Sequence, residues 1–249
     1  MRVPDALGGP ARARLLTGMT ASMHARLKGF ISELVPPIVL RAANALTAPR
    51  RGSSSRVAQH GERGAEWYDA SFDASEDWSS HYTASEYYFL WSVIVDRIQA
   101  AGAKSILEVG CGPGQLASLI RDKVGCRYIG FDFSQRRIEH AQKAYPGLSF
   151  VLQDAFQTDL FTTCDYDTVV CTEFLEHVEG DTVVLGKIRK GSRFYGTVPN
   201  FPFVSHVRHF QDENEVRSRY ASRFENLRVD RFLADARGKA FYLLDGEIS

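Results

Sequence analysis

The sequence predicts an α/β protein whose core is a seven-stranded, mostly parallel sheet with helices on both faces and a C-terminal antiparallel strand pair. Three observations carry that expectation. Short apolar runs alternate with amphipathic stretches from Ile106 to Val198, which calls for crossover connections and hence parallel strands. A glycine-rich turn, Gly110-Cys-Gly-Pro-Gly114, joins the first apolar run to the first of these helices. Two last apolar runs, Leu227 to Leu233 and Ala240 to Leu244, are joined by Ala234-Asp-Ala-Arg-Gly-Lys239, a length that suits a hairpin.

The 249 residues can hold one substantial domain and an appendage. The formal net charge is zero, but residues 1–63 carry ten Lys/Arg against three Asp/Glu (+7) and the remainder twenty against twenty-seven (−7). The acidic body argues against a broad nucleic-acid footprint. Residues 1–64 read as a basic head: an Arg-, Ala- and Gly-rich start, a more apolar segment over 23–46, and a Pro/Gly/Ser/Arg linker. Pro37 divides the segment 23–46 into two short helices. With Arg26, Lys28 and Arg41 beside Leu27, Phe30 and Ile31, it suits two roles: peripheral contact with the inner face of a membrane, or a strap packed on the domain. An acidic-poor head also fits a transit peptide, although the double proline argues against one. No apolar run approaches the ~18 residues that cross a bilayer. Four cysteines without C-x-x-C pairing point to reduced thiols and a cytoplasmic location. Nothing in the chain bears on oligomeric state.

Residues 65–100 form an aromatic-rich helical cap. Ser85 to Gln99 reads as its helix, with Phe89, Val93 and Ile94 on one face. Aromatics with polar tips suit either the closing of a pocket over a cofactor or acceptor, or ordinary packing. The core domain then spans 101–249. Ile106 to Val109 reads as a buried strand, and Leu116, Leu119 and Ile120 fall at helical spacing after the glycine turn. Such a turn lets a ligand approach the backbone, with free N–H donors at the helix N-terminus. The candidates are a dinucleotide and S-adenosylmethionine. The dinucleotide fingerprint G-x-G-x-x-G fails at its sixth position, Gln115. What stands is E-x-G-x-G-x-G from Glu108 to Gly114. It resembles motif I of the class I S-adenosylmethionine-dependent methyltransferases. That resemblance implies a Rossmann-like fold, S-adenosylmethionine as cofactor, and cofactor contacts from Glu108, Gly110, Gly112, Gly114, Phe133 and Thr172.

Arg127 to Phe131 reads as the second strand, and Ser134 caps a helix running to about Tyr145. Asp132, at the end of that strand, can accept both hydroxyls of an adenosine ribose. Leu148 to Leu152 reads as the third strand. In the family resembled, an acid just beyond it takes the adenine amino group and an apolar neighbour covers the ring, which assigns Asp154, Ala155 and Phe156. Tyr166 to Cys171 and Arg193 to Val198 read as the fourth and fifth strands, with a helix from Gly180-Asp181 through Arg189 between them. A polar helix follows over Glu213 to Tyr220.

The chemistry is expected in Cys171-Thr-Glu-Phe-Leu-Glu-His177. If this piece is helical, Glu173, Glu176 and His177 sit at i, i+3 and i+4 on one face. Two converging carboxylates repel, and a divalent cation, Mg²⁺ or Mn²⁺, resolves the repulsion. E-x-x-E-H followed at a distance by another His resembles two methyltransferase families. One comprises metal-dependent enzymes that methylate the terminal ribose of small RNAs; the other comprises the ubiquinone-pathway O-methyltransferases. In both, the later His follows strand five. Here Ser205-His-Val-Arg-His-Phe210 offers two: His209, favoured because Arg208-His-Phe210 looks like the small-RNA pattern, and His206. The resemblance thus implies metal ligation by Glu173, Glu176, His177 and His209 (alternatively His206) and catalytic roles for His177, Glu176 and His209. The same motif also serves as a plain acidic segment in methyltransferases without metal. A metal would lower the acceptor hydroxyl's pKa, and a neighbouring His could take its proton. Of the other histidines, His81 in the cap could face the acceptor.

The reading is an S-adenosylmethionine-dependent O-methyltransferase acting on a hydroxyl of a sugar or other small acceptor. Phe30-Ile-Ser-Glu-Leu-Val-Pro-Pro-Ile-Val-Leu40, followed downstream by Trp67-Tyr-Asp, resembles the start of methyltransferases encoded with bacterial surface-polysaccharide pathways, which implies a glycan acceptor. The alternatives are ribose methylation of RNA, methylation of a quinone precursor, and S-adenosylmethionine binding without transfer.

Overall fold

The computed structural model describes residues 61–249. The expectations for residues 1–60, including the segment 23–46, lie outside the described residues. A cap comes first, with helix α1 (Ala65–Asp73), two 3₁₀ turns (Glu76–Ser79 and Tyr82–Ala84) and helix α2 (Tyr88–Ala100). The core follows as β1 (Ser105–Val109), α3 (Gln115–Lys123), β2 (Arg127–Asp132), α4 (Gln135–Ala144), β3 (Ser149–Leu152), α5 (Leu160–Thr163) and β4 (Thr168–Cys171). It ends with α6 (Asp181–Leu185), β5 (Arg193–Pro199), α7 (Glu213–Tyr220), β6 (Phe224–Leu233) and β7 (Ala240–Ile248).

The seven strands lie in the order β3-β2-β1-β4-β5-β7-β6. The first five pair in parallel, with Glu108 opposite Gly130 and Asp132 opposite Leu152. β7 enters antiparallel between β5 and β6. This is the predicted sheet with its closing antiparallel pair. The strand order reverses between β1 and β4, so the carboxyl ends of these strands open a crevice there.

Each sheet face has its own apolar layer. Leu90, Trp91, Ile94, Val95 and Ile98 of α2 pack with Leu116, Leu119 and Ile120 of α3 over Ile106, Val170 and Tyr195. Phe161, Leu175, Val184, Val216 and Tyr220 cover Leu107, Val109, Phe131 and Val169 on the other face. α2 corrects the expected face: Leu90, Ile94 and Ile98 point inward, and Phe89 is exposed. Both stripes share helical spacing and Ile94, so periodicity alone did not separate them. The helix expected from Asp181 to Arg189 is also shorter, ending at Leu185. α1 buries no side chain fully. It is tied to α4 by polar contacts: Asp69 accepts from the Ser134 hydroxyl (2.6 Å) and the Arg136 amide (3.1 Å), and Asp73 pairs with Arg136 (3.0 Å). Among the described residues, no helix is long and apolar enough to cross a membrane.

Asp181 holds the second layer together. Its fully buried carboxylate accepts two hydrogen bonds from Arg219 (both 2.7 Å) and one from the Tyr220 hydroxyl (2.7 Å), and pairs with Arg208 (3.2 Å). Arg219, Tyr220 and Arg208 outweigh the burial that opposes ionisation, so the carboxyl titrates below its ordinary range. A depressed acid adds stability that is full above the ordinary carboxylate range and lost as pH falls through its lowered pKa. Asp181→Asn leaves two guanidinium groups without their counter-charge. It should destabilise the protein by about 3 kcal/mol, lowering Tm by roughly 6–12 °C at pH 7 and by less in acid. Thermal melts of wild type and variant across pH 3–7 check this, and a pH-independent gap would remove the electrostatic account.

Candidate active site

The cofactor side is built at the ends of β1, β2 and β3. Gly110, Gly112 and Gly114 all adopt left-handed φ angles (69°, 53° and 87°), a conformation that a side chain disfavours. At Gly110 a Cβ would also stand 2.8 Å from the Phe174 ring. The Gly112 amide donates to one Asp132 carboxylate oxygen (3.0 Å) and the Ser134 amide to the other (2.8 Å). Burial raises the Asp132 carboxyl, opposed by Arg137 and by these amides. Asp132 is thereby fixed at the crevice with acceptor capacity left for ligand hydroxyls.

One cavity unites most of the expected cofactor residues: Gly110, Asp132, Phe133, Asp154, Ala155 and Phe156 all line it. Asp154 is held by the Phe156 amide (2.7 Å). Glu108 departs from expectation. Its side chain is buried in the sheet, accepts from the Tyr128 hydroxyl (2.5 Å), and does not reach this cavity. Burial pushes its pKa up to about 8. Gly112, Gly114 and Thr172 stand behind the lining, Gly112 acting through its bond to Asp132.

The same cavity is bounded on its other side by Glu173, Phe174 and His177. The expected single helical face is absent. Glu173 takes a left-handed φ of 51°, and only Leu175–His177 form a 3₁₀ turn. Glu173 is locked to β5: its amide donates to the Thr197 hydroxyl (3.0 Å), which donates back to its carboxylate (3.0 Å). The group that does converge is Glu176, His177 and His206, with one ligand atom from each lying within 4.8 Å of the others.

His206 arrives through the chain after β5. The Val207 amide donates to the Glu176 carbonyl (2.8 Å), which ties the returning loop to the 3₁₀ turn. Arg208 then donates to the carbonyls of Leu175, Val178 and Glu179 and pairs with Asp181. The expectation for His209 is corrected by this geometry. Arg208 clamps the turn, so His209 emerges exposed in a shallow groove with Thr182 and Arg219, and takes no part in the cluster. His81 is likewise exposed, bonded to the Thr83 hydroxyl (2.9 Å).

Both imidazoles are oriented alike. His177 Nδ1 bonds the Ser205 carbonyl (3.0 Å) and His206 Nδ1 the Phe201 carbonyl (3.1 Å), and His177 Nε2 lies 4.0 Å from the Glu176 carboxylate. A ligating histidine is ordinarily fixed in this manner. Glu176 is fully buried, and neither carboxylate oxygen has a hydrogen-bond partner. Burial and then the adjacent Glu173 charge push its carboxyl well above the usual range. Burial also raises Glu173, against the Thr197 bond. The His177 imidazole is pushed down to about 4 by burial and by His206. That keeps it neutral at physiological pH and weakly basic, a state better suited to ligation than to proton abstraction. Two cap residues that sequence reasoning did not single out reach the site. The Tyr68 ring stands 6.0 Å from that of His177, and Tyr87 lies beside Glu173. The aromatic density of the cap was the signal for them.

Comparison with known proteins follows this geometry. A methyltransferase domain family matches residues 106–191. The ubiquinone biosynthesis O-methyltransferase of Aliivibrio fischeri is 30% identical over 114 residues, covering 42% of this chain and 48% of that protein. An O-methyltransferase of Pyrenophora dematioidea is 29% identical over 110 residues, covering 40% and 41%. The chain thus spans about half the length of the curated relatives it matches. Among solved structures, the magnesium protoporphyrin IX methyltransferase of Synechocystis with bound S-adenosylmethionine superposes with a TM-score of 0.59 at 18% identity, covering 74% of this chain and 95% of that one. The cyclase SpnF superposes with a TM-score of 0.63 at 14% identity, covering 79% and 99%. Glycine turn, strand order and matched domain agree: residues 106–191 match a methyltransferase domain, and the fold is similar to that of an S-adenosylmethionine-bound methyltransferase.

Proposed function

We propose that this protein transfers a methyl group from S-adenosylmethionine to a hydroxyl of a sugar or other small acceptor, at a site that also holds a divalent cation. The observation that carries the reading is the buried carboxylate of Glu176, without a hydrogen-bond partner and gathered with the His177 and His206 imidazoles within 4.8 Å. A carboxylate so buried is costly unless it meets a cation or a proton. The donor set fits a metal, which Glu176, His177 and His206 would hold, with Glu173 beside them. Two imidazoles and one carboxylate suit Mn²⁺ better than Mg²⁺, which prefers an all-oxygen shell. When bound, such a cation lowers the pKa of an acceptor hydroxyl and fixes its position. The chain's own residues do the rest. Asp132 and Asp154 orient the adenosine, Thr197 holds Glu173 at the cavity wall, and Tyr68 and Tyr87 shield the site from water.

O-methylation is supported by the relatives named as O-methyltransferases, and a sugar acceptor by the head's likeness to polysaccharide-pathway enzymes. Quinone-precursor methylation is the second reading, favoured by the match to the ubiquinone biosynthesis enzyme. SpnF, a cyclase on this fold, keeps cofactor binding without methyl transfer as a third. Incubation with radiolabelled S-adenosylmethionine and panels of glycans, catechols and small RNAs distinguishes them, and label transfer to none of these would favour the third. For the metal, His206→Ala should abolish Mn²⁺-induced stabilisation in thermal melts while His209→Ala keeps it. The opposite result would restore the ligand set expected from sequence.

A further inference from the structure

One cation in the cavity is used by nothing described so far. Arg137, on α4, has its guanidinium carbon 4.9 Å from the ring centroids of both Tyr68 and Trp78. One of its terminal nitrogens donates to the Ser71 hydroxyl (3.2 Å). Its Nε is buried with no hydrogen-bond partner. No carboxylate among the described residues forms an ion pair with it, whereas its neighbour Arg136 pairs with Asp73 and Glu139 on the surface. Asp132 acts on Arg137 through space and forms no ion pair with it. Arg137 lines the same cavity as Glu173 and His177, and the Tyr68 ring spans from Arg137 to the His177 imidazole.

A guanidinium held beside two aromatic rings is restrained in orientation, and the donors that Ser71 leaves unused suit capture of a carboxylate or phosphate. A half-buried cation with no directly paired carboxylate among the described residues also favours an anionic ligand. The groups expected of the adenosine, two hydroxyls and an amino group, are matched by the acids Asp132 and Asp154 and call for no cation. The residues that position Arg137 (Tyr68, Ser71 and Trp78) all belong to the cap, outside the matched stretch 106–191. The cation is therefore set by the cap and not by the matched domain alone.

We propose that Arg137 gives the acceptor site its charge preference by binding an anionic oxygen group, a carboxylate or a phosphate, on the acceptor. This rests on the cavity being the S-adenosylmethionine site. The test uses the full chain loaded with S-adenosylhomocysteine and titrated with D-glucuronate, glucose 1-phosphate and neutral methyl glucoside. Trp78 emission is the readout, assigned by a Trp78→Phe variant. At least one anionic sugar should bind about tenfold or more tightly than the neutral one, and which one does so separates carboxylate from phosphate. Arg137→Gln should remove that preference while leaving S-adenosylhomocysteine affinity within about twofold, and Arg137→Lys should keep part of it. Equal binding of charged and neutral sugars, or no saturable response to either anion, would overturn the proposal. So would a loss of S-adenosylhomocysteine affinity of about tenfold in Arg137→Gln, which would place the guanidinium on the cofactor's own carboxylate. If wild-type protein binds no S-adenosylhomocysteine, the cofactor reading itself fails. That is a separate result from an anion response missing in loaded protein.

Discussion

Asp132→Ala should weaken S-adenosylmethionine binding by about 100-fold, because a charged acceptor shared by two hydroxyls contributes roughly 2–3 kcal/mol. Two effects add in the same direction. The ribose loses its partner, and the Gly112 and Ser134 amides lose the carboxylate that shapes the glycine turn and the start of α4. Asp132→Asn, which keeps one acceptor oxygen, should fall between wild type and Asp132→Ala. Titration calorimetry reads both, and wild-type affinity in the alanine variant would end the ribose assignment. Circular dichroism should show the fold retained, since the sheet core lies behind Asp132 and not upon it.

Glu176→Gln is the second large effect, and it should separate stability from activity. The wild-type side chain is fully buried with no hydrogen-bond partner on either oxygen. A neutral amide there can donate to Glu173, so the metal-free variant should melt higher by about 2–4 °C for each kcal/mol recovered. Methyl transfer should fall by about 100-fold or more, since a metal's contribution to charge stabilisation is several kcal/mol. Added Mn²⁺ should no longer raise its Tm. Full activity in the variant, or in wild type treated with EDTA, would remove the cation from the mechanism and leave the cluster as a polar anchor for the loop after β5.

The fold was legible because its marks are local. Apolar runs, helix spacing and the six residues between the last two strands each act within a dozen positions. The placement of Asp132 at the end of β2 was legible for the same reason, since the strand's own residues define it. Glu108 was not. A strand buried on both faces has no polar alternation to show which way a side chain points, and Tyr128 captures it from the next strand. The helical reading of Glu173 to His177 failed because the Glu173 backbone turns left-handed to meet Thr197 on β5, a partner twenty-four residues away. The choice between His206 and His209 failed through another distant contact. Only the bond between Val207 and Glu176, with the Arg208 clamp, decides which imidazole enters the cluster. Identity and spacing leave the two equal.

Helix α1 carries a consequence for turnover. It supplies Tyr68 to the cavity wall, buries no side chain fully, and is tied to α4 through Asp69 and Asp73. Lifting it also parts the Tyr68 ring from Phe133 and Arg137 and the Phe72 ring from His140. The ion pair in the tether responds to screening, and added salt weakens it. Opening of the cavity at this helix should therefore become somewhat easier as ionic strength rises.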